Sequence, residues 1–444
     1  MLIQAPVATR SGYGNHSRDL IESLIDMDKF DIKIMSLRWG DCSMNALDEN
    51  NPVHQEILKR IISPQNPLNT QPDINVEIRV PNEFQRVGKF NIGITAGMET
   101  TLVSPEWVEG CNRMDLIIVP SEHSKRTFLN SKWDKMQDLP NGQKQKIGDI
   151  KIEKPIEVLF EGADENVYKK TKDIPDTIKS ELDNIKEDFS FLYVGHWLKG
   201  DLGQDRKDTG MLVKVFLETF KNKKNPPALV MKTSGATFSI IDRDEIMKKI
   251  EDIKSKIEDV ENLPSIYLLH GDLTDEEMNG MYNHPKLKAN VSFTKGEGFG
   301  RPLLEATFAD KLVITSNWSG QCDFLDSKLS VLLPGKLDNV HDSAVWDKVI
   351  LKESQWFTVD YAYASRTLLD VWKNYKNYKS RAMKQGSGNR LKFTLNNMKK
   401  EFTSMVDKYV PEFPKQVELK LPKLKKTSDK SSKIKLPKLK PVGA

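Results

Sequence analysis

The sequence predicts an α/β protein: two doubly wound domains, followed by a basic C-terminal tail. Three observations predict this. At 444 residues the chain is too long for one ordinary domain and comfortable for two. Short continuous apolar strands alternate with helical patterns in both halves, as a parallel sheet covered on both faces requires. Between the halves, near residues 165–185, Lys, Asp and Pro dominate. Apolar residues make up 38% and charged residues 29%, which is polar for a globular chain but well short of a disordered one. No apolar run approaches the roughly 20 residues that cross a bilayer. The opening Met1-Leu-Ile-Gln-Ala-Pro lacks a basic region and a sustained apolar stretch, so no signal peptide is expected. Cys42, Cys111 and Cys322 are odd in number and far apart, which excludes a disulfide framework and a Cys-based metal motif. A soluble protein of a reducing compartment, the cytoplasm, is the expectation.

The elements are taken in chain order. Leu2-Ile-Gln-Ala-Pro-Val reads as a buried strand, then the turn Ser11-Gly12-Tyr13-Gly14-Asn15, with Asn15 as N-cap of a helix whose Leu20, Ile21, Leu24 and Ile25 share one face. Residues 31–37 form the next strand. Residues 41–82 read as an elaborated connection holding a short helix over 56–62. Segments 90–95 and 115–119 are apolar strands, and Pro120-Ser121 opens a further helix. Residues 131–155 are polar and Lys-rich, a surface insertion, and 158–160 is one more strand. In the second half 191–194, 228–232, 266–269, 291–294 and 312–315 are strands. Helices run over 209–220 and 243–260, and Thr274 with Glu277 forms a capping box for the next one. A helical stretch from Tyr361 to about Tyr409 is expected to break at Gly386-Ser-Gly388. The domains are expected at 1–170 and 171–385, with a helix at 386–414 crossing back to the first domain and a tail at 415–444.

The most informative segment is Gly296-Glu-Gly-Phe-Gly-Arg-Pro-Leu-Leu-Glu-Ala306. It follows a strand and opens a helix, with Pro302 at the favoured first helical position. Gly298 and Gly300 allow close approach of a ligand to the backbone. The helix start offers unpaired N–H groups and a positive dipole end to an anion. Glu297 in the loop and Glu305 one turn inside the helix can face one ligand. The surrounding strand, loop, Pro and helix make the pair specific, since two Glu alone mean little among 63 acidic residues.

This segment resembles the E-x7-E signature of retaining, nucleotide-sugar-dependent glycosyltransferases of the two-Rossmann-domain, or GT-B, type, the family-four group. Other stretches fall in matching order over roughly residues 1–410. Ser11-Gly-Tyr-Gly14 looks like that family's N-terminal Gly loop, and Val119-Pro-Ser-Glu122 like its strand end. Phe191-Leu-Tyr-Val-Gly-His196 is similar to the strand opening its donor domain. Arg206-Lys207-Asp208 is similar to its diphosphate-gripping basic pair, and 316–323 to a following Gly-containing loop.

The resemblance implies that Glu297 contacts the transferred sugar and Glu305 the nucleotide ribose. Backbone N–H groups of Phe299 and Gly300 would hold sugar or phosphate, and Arg206 and Lys207 would neutralise the leaving diphosphate. Gly12 and Gly14 would bring the first domain against the phosphates. It implies a nucleotide-sugar co-substrate of UDP or GDP type, no cofactor and no metal, and no Asp-x-Asp stands at a strand end. Two departures stand out. His196 follows Gly195 where many relatives carry Arg. Where many carry a sugar-proximal His, this chain reads Ile94-Thr-Ala-Gly-Met-Glu-Thr100, leaving Met98 or Glu99 for that place. His16, His123 and His270 read as packing or surface residues.

The acceptor stays open among saccharide, lipid-linked sugar, protein and modified nucleic-acid base. Rival readings are a sugar phosphorylase or nucleotide-sugar epimerase on the same fold, and a non-catalytic binding protein anchored by its tail. That tail carries ten Lys against Glu418 and Asp429 over 415–444, a balance of +8; with +4 for the whole chain, residues 1–414 carry −4. Lys420-Leu-Pro-Lys-Leu-Lys425 is repeated as Lys435-Leu-Pro-Lys-Leu-Lys440. Pro and the Ser/Lys spacer oppose helix, so a disordered element binding a polyanion (nucleic acid or anionic membrane) is expected, against a purely solubilising tail.

Overall fold

The structure, a computed structural model, describes residues 1–63, 68–140, 142–235 and 237–414. The tail repeat therefore lies outside the described residues. Met1–Val410 form one compact unit.

The N-terminal half lays down β1 (Leu2–Ala5), α1 (Gly12–Asp26), β2 (Lys33–Ser36), α2 (Pro52–Leu58), β3 (Ile74–Ile78), β4 (Phe90–Ile94), α3 (Pro105–Asn112), β5 (Leu116–Val119), α4 (Glu122–Asn130), β6 (Trp133–Asp138), β7 (Lys144–Ile150) and β8 (Ile156–Val158). Six of these strands form one parallel sheet in the order β2-β1-β3-β4-β5-β8. The C-terminal half continues with α5 (Asp176–Asp183), β9 (Ser190–His196), α6 (Thr209–Phe220), β10 (Ala228–Ser234), α7 (Ile240–Lys254), β11 (Ile266–Leu269), α8 (Asp275–Asn283), β12 (Leu287–Ser292), α9 (Arg301–Phe308), β13 (Leu312–Ser316), β14 (Val331–Leu333), β15 (Gly335–Asn339), β16 (Gln355–Val359), α10 (Tyr361–Lys392) and α11 (Leu395–Tyr409). Its parallel sheet has the order β11-β10-β9-β12-β13-β14, with the order reversing between β9 and β12. In such sheets ligands bind in the crevice beyond the strand C-termini at the reversal. The two apolar faces of this sheet bury separate clusters, one around Phe191, Phe216 and Phe220, the other around Leu192, Leu304 and Val313.

Several local expectations are corrected. Ser11, not Asn15, caps α1: its hydroxyl accepts from Gly14 N at 3.0 Å, so Gly12 and Gly14 belong to the first helical turn. The connection over 41–82 contains a central strand, β3, hidden in sequence because Asn75 and Glu77 are polar. Both are buried, and Gln4 donates to each, at 3.1 and 3.2 Å, while Arg79 Nε donates to Glu77 at 2.8 Å. The 131–155 insertion is the antiparallel hairpin β6–β7, largely exposed. The helix of α9 begins at Arg301, making Pro302 its second residue.

The helix α10 does not break at 386–388. A Cβ on Gly386 would lie 2.3 Å from the Thr307 carbonyl oxygen, so the glycine lets α10 press onto the end of α9. The non-helical residue inside α10 is Asn374, and the break to α11 falls at Phe393–Thr394. α11 then packs on α1, with Lys399 paired to Glu22 at 2.8 Å and Asp26 at 3.1 Å, and Lys29 to Asp407 at 2.7 Å. No helix among the described residues is long and apolar enough to cross a membrane. The three cysteines are free.

Candidate active site

β9 and β12 are neighbours across the reversal point, so the loops that leave their C-terminal ends meet at one place. After β9 the chain loops through Arg206 and Lys207 to Asp208, whose left-handed φ of 52° turns it into α6. After β12 it runs through Glu297 to Gly300, whose φ of 99° starts α9. Lys207 Nζ sits on Glu297 Oε1 at 2.5 Å, and Arg206 Nη1 lies 3.6 Å from Glu297 Oε2. Arg206 also donates to the Gly296 carbonyl at 3.2 Å. Burial pushes the Glu297 carboxyl upward, but the Lys207 and Arg206 charges outweigh it and hold the group below the usual carboxylate range. The loop is tied from below: Glu297 N donates to Ser319 Oγ at 2.9 Å, and Ser319 in turn to Gln321 Oε1 at 2.9 Å. Phe299 anchors it by packing on Phe324. Among the described residues nothing accepts from the N–H groups of Phe299 and Gly300.

The N-terminal sheet closes over this loop. Cβ atoms added at Gly296 and Gly298 would lie 2.0 Å from the carbonyl oxygens of Glu99 and Ala96. Gly298 was expected to admit a ligand; what its missing side chain admits here is the backbone of the opposite half. Of Met98 and Glu99, Met98 is buried in the N-terminal core, while Glu99 Oε1 reaches Arg206 Nη1 at 3.3 Å.

Glu305 is not part of the Glu297 cluster. It faces Arg301 Nε at 3.1 Å and Tyr282 Oη at 3.5 Å, and burial, only partly offset by Arg301, pushes its carboxyl up to about 8. Arg301 also pairs with Asp19 of α1 at 2.5 Å, joining the two halves. Glu161 stands nearby, pushed up to about 7 by burial. Among the described residues the backbone of Gly12 and Gly14 is not hydrogen-bonded to Arg206, Lys207 or Glu297. Their loop reaches the C-terminal half through Arg10, which pairs with Asp272 at 2.8 Å. A Cβ on Gly14 would meet the Thr9 carbonyl at 2.2 Å, so that glycine serves the turn itself. Gly195 and His196 end β9, and His196 Nδ1 lies 3.2 Å from Ser234 Oγ. Desolvation, then the Lys207, Arg206 and Lys232 charges, push its imidazole below its ordinary value.

Sequence reasoning missed Arg301, Asp19, Glu161 and Lys232. Arg301 stands inside the motif and was readable there; the others acquire meaning only through partners far away in the chain. His16 is buried, His123 packs edge-on against Trp318, and His270 pairs with Asp242. Among the described residues no group of three or more His, Cys, Asp or Glu is placed to hold a metal ion. A cavity of about 490 Å³ opens behind the Arg206 loop, between Leu202, Gln204, Thr358 and Tyr361.

No protein-family model matches the chain, and no curated protein matches its sequence. Its architecture does match solved structures. HepE of Anabaena in complex with UDP-glucose is similar with a TM-score of 0.55 and 10% identity, over 92% of this chain and 99% of that one. Sucrose-phosphate synthase of Thermosynechococcus elongatus gives 0.60 and 11% identity, over 92% and 98%. A glycosyltransferase of Rickettsia africae gives 0.55 and 13% identity, over 93% and 98%. The fold is that of the GT-B glycosyltransferases.

Proposed function

We propose that this chain is a retaining glycosyltransferase, moving a hexosyl or pentosyl group from a UDP- or GDP-type donor to an acceptor on the N-terminal side of the cleft. The observation that carries the reading is the Arg206–Lys207–Glu297 cluster at the reversal point of the C-terminal sheet, beneath the start of α9. The fold it shares with a protein crystallised with UDP-glucose supports the donor class.

In this reading Arg206 and Lys207 bind the diphosphate and stabilise the charge that develops on its β-phosphate as the glycosyl bond breaks. The unpaired N–H groups of Phe299 and Gly300, with the positive end of α9, add to the same anion site. Glu297 holds the two cations in place and presents its carboxylate to the sugar hydroxyls. Glu305, released from Arg301, accepts from the ribose hydroxyls. The departing phosphate takes the acceptor proton. The preorganised cations make the reaction independent of added metal, and the cytoplasm is the compartment.

The test is turnover of a panel of UDP-, GDP- and ADP-sugars with and without EDTA, with the anomeric configuration of the product read by NMR. The expected result is hydrolysis or transfer of at least one UDP- or GDP-sugar with configuration kept. Failure to bind or turn over any of them would remove the reading.

A further inference from the structure

We propose that Lys295 and Asp208 are positioning residues, a buried charge pair that sets the Arg206–Lys207 cations against Glu297. The inference rests on the reading of those cations as the donor-phosphate site. Lys295 is 1% exposed and Asp208 0%. Lys295 Nζ lies 3.5 Å from Asp208 Oδ2 and donates to Thr358 Oγ1 at 3.0 Å. Tyr361 Oη donates to the same Asp208 oxygen at 2.7 Å. Along the backbone, Lys295 N donates to the Arg206 carbonyl at 2.8 Å, and Phe357 N to the Lys295 carbonyl at 2.9 Å. One lysine thus joins the cation turn, the loop two residues before Glu297, and the segment from β16 into α10.

The behaviour of Asp208 separates this pair from ordinary packing. An Asp at a helix N-cap usually accepts from the first free N–H groups of the helix. Asp208 occupies that position on α6 and makes no such bond. Asp205 Oδ1 accepts from Thr209 N at 3.3 Å instead, and the Asp208 carboxylate turns to Lys295 and Tyr361. Asp208 also holds a left-handed φ of 52°, a conformation that Asp tolerates better than most residues and that turns the chain from Lys207 into α6. The turn that aims Arg206 and Lys207 is therefore held by its side chain rather than by helix capping. A buried ion pair is a costly way to fill a core, since apolar replacements are often as stable. Its value here lies in fixing geometry.

The experiment uses the full chain with K295M, D208N and K295R. Crystal structures report the place of Arg206 and Lys207. Calorimetry with UDP, GDP, inorganic pyrophosphate and uridine reports binding, and kcat and KM are then measured with the donor that turns over. Expected are displacement of Arg206 and Lys207 from Glu297, at least a tenfold loss of diphosphate affinity and of kcat, unchanged uridine binding, and partial recovery in K295R. Should K295M not fold, D208N carries the same comparison, because Asn tolerates the left-handed turn. Cations still in place with unchanged diphosphate affinity would overturn the proposal, as would equal losses for UDP and uridine. If the wild type binds no nucleoside diphosphate, the donor reading falls separately. The crystal structure of D208N then decides alone: displaced cations support the pair, and cations in place refute it.

Discussion

Charge at Glu297 and charge at Glu305 are governed by opposite balances, and that difference yields two expectations. At Glu297 two cations outweigh burial, so the carboxylate stays ionised. Glu297→Ala leaves Lys207 and Arg206 without their anchor and should lower kcat by about a hundredfold to a thousandfold, the scale seen when one preorganised partner of developing charge is lost. Lys207→Ala should show a comparable loss, and EDTA should change neither wild type nor variant; steady-state kinetics with the donor check both, and near-normal turnover in Glu297→Ala would sink the assignment. At Glu305 burial outweighs Arg301, raising the group from 4.5 to about 8. The folded protein then keeps a proton that the unfolded chain has released. Stability linked to Glu305 is intact below 4.5, falls as pH climbs toward about 8, and levels off above. Glu161, pushed up to about 7, adds a fall of the same sign. Glu305→Gln should therefore lose less stability than wild type between about pH 5 and about pH 9. Parallel melting curves across that range would show that Glu305 does not titrate this way.

Elements of secondary structure bring the cations and Glu297 together, and glycines decide how closely the opposing half can approach. Gly298→Ala would place a methyl 2.0 Å from the Ala96 carbonyl, against backbone that has no rotamer to yield. The expected outcome is an opened cleft with intact sheets: a larger radius in X-ray scattering, unchanged far-UV circular dichroism and a kcat reduced at least tenfold. Unchanged scattering with normal kcat would show that the contact is dispensable. These elements also mark how far the chain could be read before its structure. The helix over 209–220 stood in the sequence because propensity and tertiary packing agree there, and the Thr274–Glu277 capping box because both of its bonds form. β3 escaped because its buried Asn75 and Glu77 are satisfied by Gln4 and Arg79, partners some seventy residues away or in the next turn of chain. α5 and the β15–β16 hairpin lay in stretches with no clear period. The Gly386–Gly388 segment misled because a glycine that permits close helix packing reads locally like one that ends a helix. In the site, Arg206, Lys207 and Glu297 were singled out because their motifs resemble a known pattern, and the structure brings the three side chains into one cluster. The Asp19–Arg301 tie was not legible, because its partners belong to different halves.

For the whole molecule, the two halves are held shut by ties of one kind after another: Arg10 to Asp272, Asp19 to Arg301, Glu99 to Arg206, the Glu122 N–H to Asp323, and Thr101 to Gln355. The unit that contains them, Met1–Val410, carries the whole candidate site. Charge divides differently, with −4 over residues 1–414 and +8 over 415–444. We infer from the sequence that this tail binds a polyanion through its ten Lys and its duplicated Lys-Leu-Pro-Lys-Leu-Lys element. Lys ammonium groups act on phosphates as point charges, so the binding should ignore sequence and weaken steeply with salt. If about six Lys engage phosphates, log affinity should fall against log salt with a slope of roughly −4 to −5. Leu421, Leu424, Leu436 and Leu439 give anionic bilayers an added apolar contact. Vesicles carrying anionic lipid should then be held at salt that already releases duplex DNA if the membrane is the target, and the order reverses for nucleic acid. Deletion after Pro414 should abolish both interactions and leave hydrolysis of the donor unchanged. Equal retention of full-length and truncated protein at low salt would reduce the tail to a solubilising segment.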